Sequence, residues 1–191
     1  MREMARTDNK KGKTVSAQQN CGRLPGWILG WMYTNALICT WDASFIMFRP
    51  HSLPGGAYSW IWYFYKYYVD IDKRYVDTSD PFVKAISLQN YVEVLLSIFT
   101  IILHYKSSRH TRLMAYNVNI MTMWKTVTYF LMFTDICGAG HWIGTDSSLT
   151  LTLLFYFPNG VWIGVPLLAM YHLWPSFTQG QNEKQGGKKD K

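Results

Sequence analysis

Asp42, Glu93 and Lys125 each stand inside a run of mostly apolar residues. Each run is about twenty residues long, the length that crosses a bilayer. An ionisable group at membrane depth is expensive unless it has a partner, a wet cavity or a function. Asp42 lies six residues before Phe48, where its run ends; at a rise of about 1.5 Å per residue that is about 9 Å below the surface. Glu93 is eleven residues past Phe82, about 16 Å down. Asn159 reaches a similar depth in the last run, and Trp162 sits one turn deeper. Two carboxylates facing each other in a low dielectric do not both ionise readily. A protonated acid beside an ionised one can donate a proton and then stabilise a cation, and the Trp162 indole adds a cation–π face. Such a pocket suits an apolar ligand with one positive centre, or an apolar substrate that becomes cationic as it reacts. Lys125 offers the competing arrangement. Paired with Glu93 or Asp42 it makes a structural ion pair and weakens the case for cation binding.

These residues need helices to position them. The pattern predicts an all-α membrane protein, a four-span helical bundle. The first span runs from Pro25 to Phe48, with Pro25 in its first turn and Arg49-Pro50 ending it. The second runs from Phe82 to Leu103, opened by Asp80-Pro81, and carries Asn90 and Glu93. The third, Leu113 to Phe133, carries Asn117, Asn119 and Lys125, and the two asparagines are expected to hydrogen-bond between helices. The fourth, Ser148 to Trp174, contains Pro158 and Pro166 and predicts a kink near Asn159. Between spans one and two, Trp60 to Tyr68 is a dense aromatic stretch. It is too short to cross and reads as an interfacial segment with Trp and Tyr at headgroup level.

Charge sets the expected orientation. The chain of 191 residues carries a net +7. Its bases gather at Arg2 to Lys13, Lys106 to Arg112 and Lys184 to Lys191, while half of the acids fall in 49–81 and 134–147. Basic loops stay cytosolic, so both termini are expected in the cytosol. Residues 1–24 read as a disordered basic tail, 25–174 as the transmembrane domain and 175–191 as a second polar tail. Lys188-Lys189-Asp190-Lys191 resembles the cytosolic dilysine signal that returns proteins to the endoplasmic reticulum. The bases occupy tails and one short loop, not a folded face with interleaved aromatics, so the pattern does not read as nucleic-acid binding. Cys21, Cys39 and Cys137 lack metal spacing and make no disulfide framework. His104, His110, His141 and His172 fall at span ends or in loops and are assigned no chemistry. No cofactor and no metal are expected.

Trp41-Asp42-Ala43, Asp80-Pro81-Phe82, Glu93 and Asn159-Gly160-Val161-Trp162 together resemble the EXPERA domain, the family of the emopamil-binding protein and the sigma-two receptor. The resemblance covers roughly residues 27–174 and lies in the order and spacing of short motifs. It implies a small helical bundle in the endoplasmic reticulum membrane, with a pocket open to lipid. It implies a sterol or related lipid, or a cationic amphiphile, as ligand, held by Asp42, Glu93, Asn159, Trp162 and Trp41. The alternative it implies is a sterol isomerase. Such an enzyme moves a double bond from the 8,9 to the 7,8 position through a carbocation, with Glu93 and Asp42 catalytic. Ile38 stands where the isomerase has a histidine, and four spans resemble the receptor more than the five-span isomerase. Receptor-type members form dimers; no motif here decides whether this chain is a homodimer.

Overall fold

The computed structural model describes residues 22–137, 140–145 and 147–177. The expected tails fall mostly outside these residues, and so does the Lys188 to Lys191 run. Among the described residues the chain is all-helical. We label the helices α1 (Gly26–Met47), α2 (Tyr65–Ile71), α3 (Pro81–Tyr105), α4 (Thr111–Leu131) and α5 (Ser148–Phe177). Helices α3 and α5 are long and apolar enough to cross a membrane.

Local chemistry sets the helix ends. Pro25 precedes α1, and its carbonyl accepts the Leu29 N–H at 3.0 Å. Asp80 caps α3: its Oδ1 accepts the Phe82 N–H at 2.7 Å, and Pro81 fills the first position, where no N–H is needed. Helix α5 contains a π-helical turn, Thr152–Tyr156, that ends two residues before Pro158. A proline ring clashes with the carbonyl four residues back, and a widened turn relieves that clash. Asn159 then donates its side-chain amide to the Phe155 carbonyl at 2.9 Å. Where the sequence predicts a kink near Asn159, the structure has this π turn.

Helix α1 packs on α3, α3 on α4 and α4 on α5. Trp31 meets Trp162 edge-to-face at 5.4 Å and closes the ring between α1 and α5. One apolar cluster fills the end where α1 starts, with Leu24, Ile28, Ile101, Ala115 and Leu173. A second fills the other end, with Phe45, Val83, Tyr129 and Phe155. Alternate helix starts and ends share each cluster, so the bundle runs up and down. The basic residues Arg23, Lys106 and Arg109 gather at the first end. Asp70, Asp72, Asp77 and Asp80 gather at the second.

The aromatic stretch differs from its expectation. It does not lie wholly at the surface. Trp62, Tyr65 and Tyr68 turn into the bundle at a spacing of three, and Phe45 stacks on Tyr65 at 4.4 Å. Trp60, Phe64 and Tyr67 stay exposed. The segment is thus a cap on the bundle, with one side toward the outside and the other forming a roof. Gly144 pins it from below: its N–H donates to the Ile71 carbonyl at 2.8 Å, and a Cβ there would collide with the Asp70 carbonyl.

Asp72 sits in this cap, fully buried. Its Oδ1 accepts the Arg74 N–H at 3.0 Å and its Oδ2 accepts the Tyr129 hydroxyl. The Arg74 guanidinium turns away, to Asp80. Burial pushes the Asp72 carboxyl up to about 7, against the pull of its hydrogen bonds. An unfolded aspartate titrates near 3.9. Between those two values the folded chain binds the extra proton, so stability falls as pH rises. The thermal midpoint in detergent is expected to drop between about pH 4 and about pH 7, and Asp72→Asn to flatten that slope. An equally steep slope in Asp72→Asn would remove Asp72 as its cause.

Candidate functional site

Between the two apolar clusters lies a polar layer, with side chains from all four long helices. Spacing explains how each helix delivers its share. Asn35, Cys39 and Asp42 follow the i, i+4, i+7 pattern of one α1 face, and Asn90 and Glu93 are an i, i+3 pair on α3. Asn119, Thr122 and Thr126 make a comparable stripe on α4, and all three are buried.

Glu93 is the best-partnered acid. It is 1% exposed. Its Oε1 accepts the Asn35 amide at 2.7 Å and the Thr122 hydroxyl at 2.6 Å. Its Oε2 takes the Lys125 ammonium at 2.8 Å. The ion pair that competes with cation binding is therefore present, and it uses Glu93. Asn35 extends the network: its Oδ1 accepts the Trp162 indole N–H at 2.8 Å. Trp31 donates to Asn119 Oδ1 at 3.0 Å, which makes Asn119 an interhelical link. Asn117, two residues earlier, is exposed.

Asp42 has different company. Its Oδ1 accepts the Tyr65 hydroxyl at 2.7 Å and the Tyr75 hydroxyl at 2.8 Å, both from the cap. Its Oδ2 accepts the Asn90 amide at 3.2 Å. All three donors are neutral. Asn90 joins the two acids' surroundings, because its Oδ1 accepts the Lys125 ammonium while its Nδ2 donates to Asp42.

A cavity of about 420 Å³ opens beside this layer. Its walls are mainly aromatic, with Tyr65, Tyr68 and Tyr75 from the cap, Tyr129 from α4 and Trp162 from α5. That volume falls within the usual range for a small-molecule site, about 300–1,000 Å³. Trp41, Asp42, Asn159 and Trp162 line it; Lys125 and Asn90 line it too. Glu93 lies behind the wall, holding Lys125 in place. Exposed Ile38, Phe64 and Leu154 also line the cavity, so it opens to the outside of the bundle. Among the described residues no group of His, Cys, Asp or Glu is arranged to hold a metal ion.

Compared with known proteins, the chain matches no family model and no curated protein.

Four of the site's working parts escape a reading of the sequence for charges. Asn35 and Asn90 carry none, yet each bonds two or more members of the layer. Tyr65 and Tyr75 look like interfacial aromatics. The signal for Tyr65 is the three-residue spacing of Trp62, Tyr65 and Tyr68, which marks an inward face in a mostly aromatic segment; Tyr75 lies outside that spacing and has no such signal.

Proposed function

We propose that this chain is a four-span membrane protein that binds a sterol, a related lipid or a cationic amphiphile in the cavity beneath the aromatic cap. The observation that carries the reading is Asp42: a carboxylate on the wall of an apolar, aromatic cavity, with only neutral donors around it. A surface protein has no need of such a chamber; a binder of a large apolar molecule with one polar point does.

The span count rests on length and on the outward faces. Helices α1 and α4 have 22 and 21 residues, about 33 Å and 32 Å long. Asn35 and Asp42 of α1, and Asn119, Thr122 and Lys125 of α4, turn into the layer. Leu37 and Trp41 of α1, and Leu113 and Trp124 of α4, stay exposed as a lipid-facing surface would. The basic end, by the positive-inside rule, faces the cytosol. The endoplasmic reticulum rests on the dilysine-like run read in the sequence.

Binding is favoured over isomerisation by the same geometry. Of the two candidate acids one lines the cavity, and Glu93 is committed to Lys125. The EXPERA resemblance of the Asp42, Asp80-Pro81-Phe82 and Asn159 to Trp162 motifs supports the reading without deciding turnover. The test is photo-crosslinking of a sterol probe to the purified chain. Asp42→Asn is expected to weaken labelling about tenfold, as loss of a charge-assisted contact of about 1.4 kcal/mol or more does. Absence of saturable labelling in the wild type rejects the proposal.

A further inference from the structure

The unused hydrogen-bonding capacity at the wall specifies the polar end of the ligand. A lysine ammonium has three donors and no acceptor, and a carboxylate has about four acceptor positions and no donor. Lys125 directs one donor to Glu93 and one to Asn90. That leaves one. Asp42 accepts two hydroxyls on Oδ1 and one amide on Oδ2. That also leaves one. Both residues line the cavity, and both are tied to the same carboxamide, Asn90. One donor and one acceptor position therefore remain, on two residues that line the cavity and share Asn90 as a partner.

Asn90 itself shows what fits between such a pair, since it gives a hydrogen to Asp42 and takes one from Lys125. A hydroxyl does the same with a single oxygen. An amine cation cannot: it has nothing for Lys125 to donate to, and it brings a second positive charge beside the first. We infer that Lys125 is the specificity-determining residue of the cavity, and that with Asp42 it selects a neutral lipid carrying a hydroxyl group over a cationic amphiphile. The inference rests on the lipid-binding reading above and narrows its ligand class.

Sites built to pair a hydroxyl reject the analogue that lacks it far more strongly than sites that only enclose it. Three probes of one ring system separate the cases: a 3-hydroxysterol, its 3-deoxy analogue and an amine-bearing azasterol. Their affinities are measured for the full chain in lipid nanodiscs. In the wild type, the hydroxysterol is expected to bind at least about tenfold more tightly than either other probe. Lys125→Gln leaves Glu93 without its counter-charge, so azasterol affinity is expected to rise at least about tenfold relative to hydroxysterol. Lys125→Arg keeps the charge and is expected to keep the wild-type order. Glu93→Gln with Lys125→Gln preserves the shape of the pair without charge. It guards against a misfolded single variant and is expected to lose the discrimination without gaining the amine.

Equal wild-type affinity for the hydroxy and deoxy probes overturns the inference, as does an amine-to-alcohol ratio that Lys125→Gln leaves unmoved. In both cases lipid binding itself stands. A wild type that binds none of the three fails at the earlier step, and the lipid-binding reading goes with it.

Discussion

Lys125→Ala is expected to destabilise the bundle by about 3–5 kcal/mol, the usual effect of removing one partner from a buried ion pair. The surroundings of Glu93 make it so. The carboxylate is 1% exposed and holds two further hydrogen bonds, from Asn35 on α1 and Thr122 on α4. Without Lys125 those neutral donors face a buried anion with no counter-charge. Asn90 also loses the donor to its Oδ1, so the bridge toward Asp42 loosens. Charge and shape are separable. Lys125→Met combined with Glu93→Gln removes both charges, keeps an acceptor for Asn35 and Thr122, and is expected to recover most of the loss. Thermal unfolding in detergent reads the order: wild type and double variant high, Lys125→Ala well below. A single variant as stable as the wild type would mean that the pair is solvated and that the layer is wetter than it looks.

The parts of this molecule that sequence reveals and the parts it hides divide along a physical line. Helix positions are legible because apolar runs are long and their ends carry prolines and caps. The span read as Phe82 to Leu103 is the helix Pro81–Tyr105, and the span read as Leu113 to Phe133 is Thr111–Leu131. Which face of each helix turns inward is harder. A helix that meets lipid on one side and apolar neighbours on the other has little contrast between its faces. Only its polar residues break the tie, and they do so unevenly. Asn117 and Asn119 look equivalent in sequence, yet they stand about 200° apart around α4, and Asn119 alone is buried. Pairing is harder still. Both Glu93 and Asp42 are acceptable partners for Lys125 by depth. The choice of Glu93 comes from Asn90, whose amide occupies the space between Lys125 and Asp42. The cap is the least legible part. Its aromatic composition suits a membrane interface, and its inward phenols are fixed by distant contacts: Tyr65 and Tyr75 with Asp42 of α1, 23 and 33 residues away, and Tyr68 with Asn159 of α5, 91 residues away.

That cap depends on a second buried pair, and breaking it is expected to have an effect as large as the first. Arg74 meets Asp80 at 2.8 Å, with side chains 6% and 4% exposed. The guanidinium also lies 4.8 Å from the Trp142 ring and 5.1 Å from the Phe82 ring, and it donates to the Met132 carbonyl at 3.2 Å. It therefore ties the cap to α3, to the end of α4 and to the segment before α5. Asp80 has two tasks, one for each oxygen: Oδ2 holds Arg74 and Oδ1 caps α3. Asp80→Asn keeps an oxygen for the cap and removes the charge, so it isolates the pair and is expected to lose about 3–5 kcal/mol. Asp80→Ala removes both and is expected to lose about 1 kcal/mol more, the ordinary worth of an N-cap. The two variants thus fall in a fixed order by thermal unfolding in detergent, and Asp80→Asn matching the wild type would refute the pairing. The effect reaches the cavity as well. Tyr75 follows Arg74 in sequence and donates to Asp42, so a cap released from α3 withdraws a donor from the carboxylate on which the proposed sterol binding rests. Asp80→Asn is accordingly expected to weaken sterol crosslinking at temperatures where the bundle is still folded, although Asp80 does not line the cavity.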